Sequence, residues 1–94
     1  MHHRNIVNLH ITLTGKVYKV GLCYFIKQMA KHYGILGTVR YQDDVTIAID
    51  ATGEKEKMDQ FLSCCRLGCP GSDVKNVSSK KREPIIHKSF EIVE

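Results

Sequence analysis

The sequence predicts an α+β fold in which two helices cover one face of an antiparallel sheet, and three observations carry that prediction. An opening segment alternates strictly between apolar and polar residues. Two later segments repeat their apolar residues with helical spacing. Short alternating segments separate and follow these two, giving the order β-α-β-β-α-β with a short strand at the end.

The first strand rests on Val7, Leu9, Ile11 and Leu13, which interleave with Asn8, His10, Thr12 and Thr14. Successive residues of a strand point to opposite faces, so one face is apolar and the other polar. Gly15 is expected to end it. The period then changes: Leu22, Phe25, Ile26, Met29, Ala30 and Tyr33 form the stripe of an amphipathic helix, closed by Gly34.

Strands are expected from Leu36 to Tyr41 and from Val45 to Ala51, the latter with Val45, Ile47, Ile49 and Ala51 on one face. The polar Gln42-Asp43-Asp44 between them suits a tight antiparallel connection. Helical spacing returns at Met58, Phe61, Leu62 and Cys65. Glu54 and Glu56 lie in its first turn, where the helix dipole favours negative charge, and Gly68 with Pro70 stops it. A fourth strand from Val74 to about Ser79 and a terminal edge strand from Ser89 to Val93 complete the chain, joined by a basic loop containing Pro84. This order is that of the ferredoxin-like split βαβ sandwich.

With 94 residues the chain has length for one hydrophobic core, so residues 1–94 are expected to form a single domain. Apolar residues make up 43% and charged residues 26%, which excludes general disorder and fibrous architecture. No apolar run approaches the roughly 20 residues of a membrane-spanning helix, and no secretory signal core follows Met1, so the chain reads as soluble and cytoplasmic, without a membrane partner. The net charge of +4 favours anionic partners in general. Lys80, Lys81, Arg82 and Lys88 supply much of it and read as a solvated face.

Cys23, Cys64, Cys65 and Cys69 are expected as reduced thiols, because vicinal cysteines bridge poorly and no secretory context is indicated. Cys64, Cys65 and Cys69 lack the fourth ligand and the paired spacing of a zinc site, so no metal and no cofactor are expected. His10 on the polar face of a strand and His32 on the exposed side of a helix read as solvated.

Chemistry enters with local motifs. The segment from Gly15 to Phe25, G-K-V-Y-K-V-G-L-C-Y-F, resembles the acylphosphatase signature G-x-V-Q-G-V-x-F-R-x-F, with Gly15, Val17, Val20 and Phe25 in register. Gly34 to Tyr41 resembles that family's G-L-x-G-W-V-x-N. Asp44, Ile47, Ile49, Ala51 and Gly53 continue its D-G-x-V-x-I-x-A-x-G without a gap. Gly68, Pro70 (displaced by about one residue), Val74, Val77 and Phe90-Glu91-Ile92 extend the likeness over roughly residues 5 to 93.

The resemblance implies a scaffold for hydrolysing the mixed anhydride of a carboxylate and phosphate. It implies a phosphate-binding loop of Lys16, Val17, Tyr18, Lys19, Val20, Gly21 and Leu22, whose backbone N–H groups at a helix N-terminus suit an anion. It also places Cys23 in the slot of the signature arginine and Tyr41 in that of the water-positioning asparagine. A thiol is a weak single donor and a phenol reaches farther than an amide. Losing one transition-state donor costs about 2.7 to 4 kcal/mol, so the resemblance implies little family-type turnover, with phosphate or acyl-phosphate binding retained.

Two other readings stand beside this one. A working acylphosphatase could draw on substitute groups, with Lys19, Arg40 or Tyr41 as candidates. An RRM-like nucleic-acid module shares the element order, but His10-Ile11-Thr12 and Thr46-Ile47-Ala48 replace the stacking aromatics of such modules, so nucleic acid is disfavoured. A cysteine nucleophile at Cys23 is disfavoured too, because no phosphate-binding arginine lies between Gly15 and Phe25. The chain is expected to be a monomer.

Overall fold

Alternating hydrophobicity becomes sheet, and helical spacing becomes two helices packed on one side of it. The computed structural model describes residues 5–18 and 21–93. In chain order the elements are β1 (Ile6–Lys16), α1 (Leu22–Tyr33), β2 (Leu36–Asp43), β3 (Thr46–Glu54), α2 (Lys55–Leu67), β4 (Asp73–Lys81) and β5 (Phe90–Ile92). The strands lie in the order β4-β1-β3-β2-β5. This is the two-layer, split βαβ arrangement that the sequence order predicts.

The pairs β1–β3, β1–β4 and β2–β3 are antiparallel, whereas β5 runs parallel to β2. The sheet is therefore mixed at this one edge. β5 can run parallel because the long connection after β4 lets the chain return in the direction of β2, whereas a tight hairpin forces antiparallel pairing.

Ile11 and Leu13 of β1, Val39 of β2, and Ile47, Ile49 and Ala51 of β3 point into the helix layer and are fully buried. They meet Leu22, Ile26 and Ala30 of α1 and Met58, Phe61 and Cys65 of α2. Phe61 and Phe90 pack edge to face with ring centroids 6.0 Å apart, which ties the short β5 to α2 across the core.

Two expectations about the strands are corrected. Gly15 does not end β1; the strand continues through it to Lys16, with the β1–β4 register shifting between Thr14 and Gly15. The bulge explains the glycine, because its φ is +135° and a Cβ there would strike the Asp73 carbonyl oxygen. Val45 does not join the apolar face of β3. It lies in the turn before Thr46 and is 58% exposed, its N–H accepted by Asp43 Oδ1 at 2.9 Å. Asp43 thus closes an Asx-type turn that fixes where β3 begins.

Candidate active site at the β1–α1 loop

The loop between β1 and α1 is anchored at both ends. Gly15 N–H donates to the Val45 carbonyl at 3.0 Å, fastening the end of β1 to the β2–β3 turn. Val17 is fully buried and pins the loop to the core. Gly21 caps α1 in a left-handed conformation, φ 77° and ψ 12°, and its carbonyl accepts from Phe25 N–H at 3.0 Å. A Cβ at Gly21 would meet nothing within 4 Å, so the glycine answers to backbone conformation and not to crowding.

The start of α1 has no acidic residue in its first turn and no side-chain cap. The N–H groups of a helix's first turn have no partner within the helix and point outward with the positive end of the dipole. An anion would satisfy them.

Of the expected loop residues, Lys16 and Tyr18 are exposed while Val17 and Leu22 are core side chains, so Leu22 can offer an anion only its N–H. Lys19 and Val20 lie outside the described residues. Cys23 is 5% exposed and faces inward from the first turn of α1. Tyr41, paired with Ile47 across β2–β3, projects into the same layer and packs at the edge of the core. The two side chains meet: burial pushes the Cys23 thiol up, and a hydrogen bond with Tyr41 partly offsets this. Tyr18 completes the cluster, its ring edge-on to Tyr41 with centroids 5.1 Å apart.

Arg40 is not brought to this group. It neighbours Tyr41 in sequence but alternates to the opposite face of β2, where it is exposed and registers with Ala48. None of the cysteines is bridged to another among the described residues. Cys65 is fully buried and its thiol is pushed up to about 12, by burial first and by the neighbouring Cys64 second. No helix among the described residues is long and apolar enough to cross a membrane.

On the sheet face away from the helices lies a network that the sequence reading missed. His10, expected to be solvated, is half-buried, and its Nδ1 lies 2.8 Å from Asp50 Oδ1. Arg82, expected on a solvated basic face, donates from Nη1 to the same oxygen at 2.5 Å. Burial raises the Asp50 carboxyl, but the hydrogen bonds from His10 and Arg82, with the charge of Arg82, outweigh it and hold Asp50 below the usual carboxylate range. The available signal is the alternation itself, which puts His10 and Asp50 on polar faces of two strands. Their pairing follows only from the register that sets His10 opposite Asp50.

A two-layer split βαβ domain, with its anchored loop delivering the chain onto an uncapped helix N-terminus, is the class that fold and site define. Comparison with known proteins narrows it. The acylphosphatase family profile matches residues 9–92. An acylphosphatase of Archaeoglobus fulgidus is 37% identical over 87 residues, covering 93% of this chain and 98% of its own length. One of Clostridium acetobutylicum is 37% identical over 84 residues, covering 88% and 92%. The crystal structure of acylphosphatase from Bacillus subtilis superposes with a TM-score of 0.89 at 28% identity, covering 94% of this chain and 99% of that one. The chain belongs to the acylphosphatase family.

Proposed function

We propose that the β1–α1 loop is an anion cradle of the acylphosphatase type, and that this chain hydrolyses acyl phosphates far more slowly than a family member carrying the signature arginine and asparagine. The observation that carries the reading is that the buried Cys23 thiol and Tyr41 lie side by side, the two positions that the motif resemblance sets in the slots of those signature residues. A guanidinium in the first slot would present a bidentate, permanently charged fork to phosphate oxygens. The thiol here is buried and neutral, and the group beside it is a phenol. With a phenol in the second slot, a water that should attack phosphorus has no amide to orient it.

Binding is a separate matter from turnover. The left-handed Gly21 cap and the acid-free first turn of α1 supply N–H donors and a favourable dipole regardless of side chain. Lys16, exposed at the end of β1, adds positive charge near the loop. The loop therefore supports phosphate or acyl-phosphate binding by backbone groups.

The reading in which substitute groups restore catalysis is not favoured. Arg40 faces the other side of the sheet, Tyr41 packs inward beside Cys23, and Lys19 lies outside the described residues. The nucleic-acid reading is not favoured either, because the polar face of the central strands β1 and β3 presents His10, Thr12, Ala48 and Asp50 in place of stacking aromatics. The test is a titration of inorganic phosphate followed by backbone amide shifts at constant pH and ionic strength. Saturable shifts at Gly21, Leu22 and Cys23 are expected. Shifts at these three amides no larger than those given by chloride would remove the cradle.

A further inference from the structure

We infer that the face of the sheet away from the helices carries a second anion site, built by His10, Thr12, Ser78 and Lys80 and selective for a small tetrahedral oxyanion such as a phosphoryl group. Its location is independent of the β1–α1 loop. A cavity of about 220 Å³ lies between β1 and β4, lined by His10, Thr12, Ser78, Ser79 and Lys80. That is below the roughly 300 Å³ at which pockets for drug-sized ligands begin, so the occupant is small.

Strand register explains why the donors converge. One row across the sheet reads Lys80, His10, Asp50, Thr38, and the next reads Ser78, Thr12, Ala48, Arg40. Within one row, then the other, the cavity receives an ammonium with an imidazole and two hydroxyls. Hydroxyl groups and an ammonium are donors suited to the oxygens of a phosphoryl group.

The network beneath fixes one of these donors. Asp50 is an ionised carboxylate and can only accept, so the proton on this contact is carried by His10 Nδ1. His10 is then held with Nε2 as its remaining polar atom on the open face. A hydrogen phosphate can donate its own O–H to that nitrogen while Lys80, Thr12 and Ser78 supply donors to its other oxygens. Arg82 neutralises the one carboxylate of these two rows, which leaves the charges of Lys80 and Arg40 uncompensated there. Lys80 makes no ion pair among the described residues.

The experiment is a titration of the full chain with inorganic phosphate at fixed pH, with sodium chloride holding ionic strength constant, following the His10 ring C–H signals and the amides of Thr12 and Ser78. The site predicts saturable shifts with a midpoint at roughly millimolar phosphate. Lys80→Ala weakens this midpoint by about fivefold, the worth of one exposed ion contact, without moving that of the Gly21–Cys23 amides. Asp50→Asn gives a sharper test. If Asp50 positions His10, its loss weakens binding, whereas charge alone would make the patch more attractive to phosphate. Linear shifts matched by chloride, or tighter binding in Asp50→Asn, would overturn the proposal. Because the cradle is read from different amides, failure of either site is visible without failure of the other.

Discussion

Tyr41 lies beside the Cys23 thiol, bringing the second strand against the first turn of the first helix at the mouth of the β1–α1 loop. Neither presents a charged group to the loop, and the thiol is held protonated by burial.

Thiol chemistry follows from this environment. Thiolate is the reactive form, and burial disfavours it. Iodoacetamide at pH 8, followed by peptide mass mapping, is expected to label Cys64 and Cys69 first, since both are only half-buried. Cys23 should lag behind them and Cys65 should stay unmodified until the chain unfolds, its thiol standing at about 12. Labelling of Cys65 as fast as Cys64 would contradict this assignment.

Asp50 gives the fold an acid limit. Its folded pKa lies below the unfolded value near about 3.9, so the network's contribution is fully present above that pH and is lost as pH falls through the lower folded value. Urea midpoints of the wild type should therefore fall from pH 5 towards pH 3. Asp50→Asn should be less stable by about 1.5 to 3 kcal/mol at pH 7, the scale of hydrogen bonds to a charged group, and its midpoint should depend less on pH over that window. An unchanged pH slope in the variant would assign the acid transition to other carboxylates.

Gly15 and Gly21 separate two reasons for glycine. Gly15→Ala meets both a forbidden φ and the Asp73 carbonyl, so a loss above about 2 kcal/mol is expected. Gly21→Ala meets only the left-handed φ, a cost of about 1 kcal/mol. Thermal or urea unfolding measures both, and equal losses would mean that crowding at the bulge is relieved by a small shift of β4.

Phe61 tests the aromatic tie between α2 and β5. It is fully buried and packs on Phe90, so Phe61→Ala should destabilise by about 3 to 5 kcal/mol. The loss should be accompanied by faster amide exchange at Glu91 and Ile92, since β5 has only three residues of its own. Full protection of β5 in the variant would show that pairing with β2 alone secures it.

The elements were legible because their periods are undiluted: Leu9, Ile11 and Leu13 mark one face of β1, and Leu22, Ile26 and Ala30 one face of α1. What a single sequence hides is whatever depends on register. Arg82 reaches Asp50 because its own N–H pairs with the Asn8 carbonyl at 3.0 Å, extending the β4 edge past Lys81, and nothing local in the chain announces that. Val45 misled because an apolar residue in phase with Ile47 can still sit in the turn when Asp43 captures its N–H. The motif around Gly15 and Gly21 marked the two glycines that the backbone requires, one at the bulge and one at the helix cap. The meeting of Cys23 with Tyr41 was not legible, because it needs the packing of α1 against β2.

The central claim is that a family scaffold without a charged fork and an amide at these two positions turns over slowly. Hydrolysis of benzoyl phosphate by this chain, measured beside the 37% identical Archaeoglobus fulgidus acylphosphatase, tests it directly. A rate lower by at least about 100-fold is expected, the usual consequence of losing a single transition-state donor. Turnover within about tenfold of that relative would contradict the account.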